Sequence, residues 1–358
     1  MPRTPDPGAA SAPVTGTGPV PGPAPTPRRL VVLGAGAVGL TLAARATEAG
    51  VPVLLVARGA ALERLRTAPV RYADPDGVRE VRVPVAAEDE VALEPSDVLV
   101  LTVKAQQAED ALTAWAYREV AGGGLGADLP VVTLQNGLDT ERAALRRFTT
   151  VLSASILVPA QSFAPGEVAT AAAGPAAVLT LGPAGAGPHP PATHAALADV
   201  AAALVATGCA AHVVEDAAPW KALKLLGNVL NGVEVLAGDE DARAALGREV
   251  VEEARAVLDA AGLAVADGAE RERAVGAVRV RRTEGWEPGR SSTFQSFARG
   301  AASVETDHLN GEVVLLARLH GVPAPLNAAL QRVLGRAAAR GEGPGSATVA
   351  DVRAAAAG

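Results

Sequence analysis

The sequence predicts an α/β protein whose N-terminal part is a parallel, doubly wound nucleotide-binding domain and whose C-terminal part is all helical. Three observations carry this. Residues 29–33 form an apolar-rich run that enters Gly34-Ala35-Gly36-Ala37-Val38-Gly39, and an Ala-rich helical stretch follows at once. Strand-like runs then alternate with helical stretches, the pattern of a parallel sheet with helical crossovers. Beyond Asp216 the strand signals stop.

Each glycine of the G-x-G-x-x-G has a task. Gly34 permits a tight turn after the strand, Gly36 lets backbone approach a pyrophosphate, and Gly39 lets the helix pack closely on the strand. The phosphates would sit at the helix N-terminus, where unpaired N–H groups favour negative charge. The motif alone is weak in a chain with 38 glycines. A strand before it, a helix after it and a second strand at 51–57 make it a Rossmann-type dinucleotide site.

The residues just past that second strand bear on the cofactor. NAD-binding folds usually place Asp or Glu roughly 20 residues past the glycines, to hold the ribose hydroxyl. This chain has Ala57-Arg58-Gly59. Arg58 cannot accept from that hydroxyl but matches a 2′-phosphate. A solvated Arg at a strand end is the competing reading. With no acidic residue nearby in sequence, NADP is the expected cofactor.

Composition narrows the partners. A chain of 358 residues is long enough for two domains with real cores. Its apolar runs fall short of the roughly 20 residues of a membrane span. With 32 basic and 39 acidic residues, a net charge of −7 and no long basic run, nucleic acid and anionic membrane are not expected partners. A single cysteine, Cys209, excludes an internal disulfide and fits a reducing cytoplasm. The five histidines show no ligand spacing, so no metal is expected.

The organisation expected along the chain is a disordered Pro/Gly/Ala-rich tail (1–27), an NADP-binding domain (28–215), a helical substrate and catalytic domain (216–340) and a flexible tail (341–358). In the first domain, 70–72 and 78–85 suggest a hairpin, and 96–103 and 130–134 read as buried strands. The segments 151–158, 166–171 and 177–181 look like strands extending the sheet in an antiparallel sense, with 212–215 at its edge. Gly34, Lys104 and Asn136 all come just after strand ends, where residues face the ligand crevice of such sheets. Helices are expected at 107–117, 192–207, 218–235, 242–261, 267–281, 291–318 (with a break near Gly300) and 327–340.

Two clusters could do chemistry. Lys224, Asn228 and Asn231 fall at i, i+4 and i+7, one face of a helix, within Leu/Val/Gly surroundings. That is a polar stripe suited to a cleft, and a partly desolvated ammonium there can donate a proton near neutral pH. In the second cluster, Glu305 and Asp307 precede Asn310-Gly311 inside an apolar helical run, with Ser292 upstream. On one straight helix Ser292 and Glu305 would point well over 90° apart. Either the helix breaks near Gly300 or Ser292 precedes its first turn.

These residues together resemble the ketopantoate reductases (2-dehydropantoate 2-reductases), NADPH-dependent enzymes of pantothenate biosynthesis. The resemblance runs from about Arg29 to Asn327. It rests on Gly34 to Gly39, Arg58, Thr102-Val-Lys104-Ala-Gln-Gln107, Gln135-Asn136-Gly137, Lys224-Leu-Leu-Gly-Asn228, Ser292-Thr-Phe-Gln295, Glu305-Thr-Asp307-His-Leu-Asn310-Gly311 and the stretch 319–327, in the family's order.

The resemblance implies roles. Lys224 looks like the general acid, and Asn136 and Lys104 like residues at the nicotinamide–substrate junction. Asn228 would hold the substrate and Ser292 its carboxylate. Glu305 would bind its hydroxyl and partner the catalytic Lys. Arg58 looks like the 2′-phosphate ligand, with Gln107 among the cofactor-binding positions. Three departures mark a divergent branch, one of them the absence of the proline that commonly follows the family's second Asn. Lys224 stands four residues after Trp220 rather than two, and the family's second Asn, eight past the Lys, is Gly232 here. Asn231 is one position early, about 100° away on a straight helix. The expected partner is a small 2-oxo acid, most of all ketopantoate, and a homodimer is left open. The alternatives are another branched 2-oxo acid and a non-catalytic NADP-binding redox sensor.

Overall fold

The computed structural model describes residues 28–288 and 291–358. The tail expected at 1–27 lies outside the described residues. Along the first part run β1 (Leu30–Leu33), α1 (Ala37–Glu48), β2 (Val53–Val56), α2 (Gly59–Thr67), β3 (Val70–Asp74), β4 (Gly77–Val81), β5 (Val85–Ala86), β6 (Val98–Leu101), α3 (Ala108–Ala116), β7 (Val131–Thr133) and α4 (Asp139–Leu145). After them come β8 (Val151–Leu157), β9 (Ala160–Gln161), β10 (Glu167–Thr170), β11 (Val178–Pro183), α5 (Pro191–Ala206) and β12 (Ala210–Val213).

The main sheet has the order β12-β11-β8-β7-β6-β1-β2-β5. From β5 to β8 every neighbouring pair is parallel. Helices cover both faces, so the strands read as unbroken apolar runs, and no residue of β1 is more than 3% exposed. The chain leaves β1 toward β2 on one side and returns through β6 on the other. That reversal opens a crevice beyond the carboxyl ends of β1 and β6.

The expected antiparallel extension holds only in part. β8 joins parallel to β7, and the reversal comes at β11, which runs antiparallel to β8. β12 then pairs parallel with β11 at the edge. The strand expected at 166–171 is not in this sheet. It is β10, which pairs parallel with β3 and antiparallel with β9 in a second sheet of order β4-β3-β10-β9. Helix α1 is the reason. It packs on β1 and β2 with one face and on the second sheet with the other. Its Gly, Ala and Leu residues are therefore buried nearly all round.

The helical part comprises α6 (Ala218–Asn228), α7 (Asn231–Glu234), α8 (Glu240–Ala260), α9 (Gly268–Val275), α10 (Ser292–Ala298), α11 (Asn310–His320), α12 (Pro325–Ala339) and α13 (Val349–Ala357). Its core gathers Leu225, Leu246, Val250, Val257, Val313, Leu330 and Leu334 around α8. Three helices differ from expectation. The one expected at 218–235 breaks after α6, because Asn310, wholly buried, donates to the Val229 carbonyl at 3.1 Å. The one expected at 267–281 ends at Val275, and residues 279–281 run extended against 171–173. The expected flexible tail 341–358 carries α13. Thr348 and Asp351 cap it reciprocally, and Val352 is buried in the helical core.

Candidate active site

A cleft of about 1130 Å³ runs from the glycine turn after β1 to helices α6 and α10. Small-molecule sites span roughly 300–1,000 Å³, so this one has room for a dinucleotide and a small acid side by side. It is lined by Gly34 to Val38, Arg58, Lys104, Gln107, Asn136, Lys224, Asn228, Asn231, Ser292 and Glu305. Gly39 lies behind it, where helix meets strand.

The glycine turn fits a pyrophosphate. Gly34 has φ +121°, a conformation that side chains resist. A Cβ on Gly39 would stand 1.9 Å from the Gly34 carbonyl oxygen, so only glycine lets α1 approach β1 this closely. A Cβ on Gly36 would meet nothing within 4 Å, which leaves its backbone open to the cleft. Thr102 locks the turn, its hydroxyl donating to the Leu33 and Gly34 carbonyls at 2.9 Å. Arg58 is exposed at the cleft rim, at the N-cap of α2. Glu88, distant from Arg58 in sequence, also lines the cleft.

At the other end Lys104 Nζ lies 2.6 Å from Glu305 Oε2. Glu305 is buried in a 3-10 turn (Glu305–His308). Burial pushes its carboxyl up. The Lys104 ammonium, the nearby Ser292 hydroxyl and the Lys224 charge more than offset this and hold it below the usual carboxylate range. The Glu305 pairing therefore differs from the one implied by resemblance: the salt bridge goes to Lys104, and Lys224 donates to the Ile156 carbonyl at the end of β8. Ser292 reaches the same cleft because the helical run ends at Ala298 and turns at Gly300, φ +65°.

Lys224 sits at the cleft floor with its amine desolvated. Burial first, and the Lys221 charge second, lower its pKa to about 7, against an opposing pull from Glu305. Asn228 Oδ1 and Ser292 Oγ are buried and complete no hydrogen bond of normal geometry among the described residues. Both atoms line the cleft with hydrogen-bonding capacity to spare. The break after α6 also changes the expectation for Asn231. Gly232 faces the helical core, where a Cβ would stand 2.9 Å from Leu334, while Asn231 lines the cleft.

Lys221 was not among the expected site residues. A signal for it lies in the composition: of 32 lysines and arginines only Lys104, Lys221 and Lys224 are lysine. All three ammonium groups are drawn to this region, Lys104 and Lys224 lining the cleft and Lys221 buried behind it. Arginine serves for charge elsewhere, but it cannot give up its proton near neutral pH.

The match to known proteins agrees with this geometry. Residues 30–184 match the family described as ketopantoate reductase PanE/ApbA, and residues 217–338 match its C-terminal part. The chain belongs to the ketopantoate reductase family. The 2-dehydropantoate 2-reductase of Halobacterium salinarum is 30% identical over 308 residues, covering 83% of this chain and 95% of that protein. The PanE/ApbA family ketopantoate reductase of Ralstonia eutropha JMP134 superposes with a TM-score of 0.68 at 24% identity, covering 87% of this chain and 99% of that one. A D-mandelate dehydrogenase bound to NADH and anilino(oxo)acetate gives 0.69 at 20% identity, covering 87% and 98%. As a member of this family the chain is an oxidoreductase with a Rossmann-type nucleotide domain. Among the described residues no helix is long and apolar enough to cross a membrane.

Proposed function

We propose that this protein reduces 2-dehydropantoate (ketopantoate) to (R)-pantoate with NADPH, with Lys224 as the general acid. The observation that carries the reading is a half-buried lysine, its amine shifted to a pKa of about 7, in the same cleft as a glycine turn shaped to admit a pyrophosphate. In this division of labour residues 28–215 hold the cofactor and residues 216–340 supply the acid and most substrate contacts.

Bound NADPH would supply a hydride to the carbonyl carbon of the 2-oxo acid. As that C=O bond breaks to a C–O single bond, Lys224 delivers its proton to the oxygen, and the amine regains a proton from water. Asn228 and Ser292 receive the substrate's polar groups. Asn136, at the end of β7, and Lys104 stand on the nicotinamide side. Glu305, kept ionised by Lys104, accepts a hydrogen bond from the substrate hydroxyl and adds a local charge that favours the protonated form of Lys224.

Arg58 supports NADPH over NADH. Replacing it with Ala removes one charge-assisted phosphate contact, so NADPH affinity is expected to fall about 10- to 100-fold while NADH affinity stays unchanged. Cofactor titrations of both proteins check this. An equal loss for both cofactors would remove Arg58 as the 2′-phosphate ligand.

A second reading keeps the chemistry and changes the acid. The cleft wall includes Phe163, Val278 and Trp286, an apolar surface suited to a bulkier side chain than that of ketopantoate. A preference in kcat/KM for a larger branched or aromatic 2-oxo acid would favour it.

A further inference from the structure

Lys221 stands one helical turn before Lys224 on α6 and is 3% exposed. Its Nζ lies 2.8 Å from Glu141 Oε1 of α4 and also donates to the Gln135 carbonyl. Glu141 further accepts from Thr133 Oγ1 at 2.8 Å and from Ser153 Oγ at 3.2 Å. The Gln135 side chain, for its part, donates to the Leu101 and Val103 carbonyls at 2.9 Å. One ammonium thus ties α6 to the carboxyl ends of β6 and β7, to β8, and to the peptide that carries Asn136. Gly137 comes next with φ +84°, where a Cβ would lie 2.3 Å from the His308 carbonyl oxygen.

Stability alone is a weak reason for this arrangement. A buried ion pair is commonly no better than well-packed apolar residues of the same volume. Its charge and its hydrogen bond to the Asn136 turn remain as the reasons to keep it.

We propose that Lys221 is a positioning residue of the active site: clamped by Glu141, its ammonium holds the Gln135–Asn136 peptide at the cleft floor and keeps a fixed positive charge beside Lys224. Its catalytic consequence rests on Lys224 being the proton donor. The charges facing Lys224 are Lys221 on its own helix, Glu305 from the 3-10 turn and Arg271 from α9, with Glu141 of α4 held 2.8 Å from the Lys221 ammonium. The two cations favour the neutral amine, Glu305 favours the ammonium, and Lys104 is already engaged by Glu305.

The pair gives an ordered set of effects. Lys221→Met leaves Glu141 uncompensated and raises the Lys224 midpoint most. Lys221→Met with Glu141→Gln removes both charges and raises it by about half a unit to one unit. Glu141→Gln alone leaves Lys221 uncompensated and lowers it. The double variant guards against misfolding, since it leaves neither member of the buried pair uncompensated.

The test is a pH titration of the protein labelled with ¹³Cε-lysine, read by NMR. Its three lysines give three signals, and Lys224→Ala assigns the one of interest. The pH profile of kcat/KM is recorded beside it. The expected result is the stated order of midpoints, with the kinetic limb moving in parallel. Unchanged midpoints in folded double and Glu141→Gln variants would overturn the inference. Shifted midpoints with an unmoved kinetic limb would support the action of Lys221 on Lys224 and reject Lys224 as the donor.

Discussion

Lys224→Ala is expected to leave NADPH bound and to lower kcat for the 2-oxo acid by about 10² to 10⁴, the usual contribution of a positioned general acid. The side chain lines the cleft from within α6, and its ammonium donates to a strand-end carbonyl, so its loss removes the donor and not the framework. The pH dependence makes the same test from the other side. The proton must be on the amine for reduction, and the amine releases it at about 7. In the wild type, kcat/KM for reduction therefore falls as pH rises through about 7, while the reverse oxidation, which needs the neutral amine, rises through the same range. The variant loses this limb. Full activity in Lys224→Ala would end the assignment.

Gly39→Ala is expected to destabilise the fold by about 3 kcal/mol, the upper end of what one added methyl costs in a packed interior. Its Cβ would stand 1.9 Å from the Gly34 carbonyl oxygen and 2.8 Å from Thr102 Oγ1. The first is backbone, so relief requires α1 to lift from β1 and the glycine turn to lose its shape. Denaturant unfolding and NADPH titration read both effects. Gly36→Ala is the contrast. Its Cβ meets no protein atom within 4 Å, so stability is kept, but the methyl stands where backbone should meet the pyrophosphate. NADPH affinity then falls at least about 10-fold without unfolding, a loss of more than roughly 1.4 kcal/mol of binding. If both variants were equally stable, the close-packing role of Gly39 would be wrong.

The part of the site legible in the sequence was the part written locally. The glycine turn, Arg58 after β2, and Lys104 and Asn136 after β6 and β7 each sit beside the strand that places them. The position in the chain is then the position in the cleft. The features that sequence missed depend on distant partners. β10 carries no local mark that it pairs with β3 instead of extending the main sheet; α1 between the two sheets decides that. The break after α6 stands where distant Asn310 donates to the Val229 carbonyl, and Asn231 beyond it lines the cleft. Glu305 looked like a partner for Lys224, but the salt bridge runs to Lys104, from a strand end some 200 residues earlier in the chain. Lys221 was legible only through scarcity: in a chain that uses arginine almost everywhere, lysine is kept where three ammonium groups converge.

The most direct test of the account is NADPH oxidation by the purified protein with ketopantoate, together with identification of the product. The account predicts NADPH consumed one for one with pantoate formed, and far slower turnover with NADH. NADPH bound tightly but consumed with neither ketopantoate nor any other 2-oxo acid would contradict it, and would leave a nucleotide-binding protein in which Lys224 has no carbonyl to protonate.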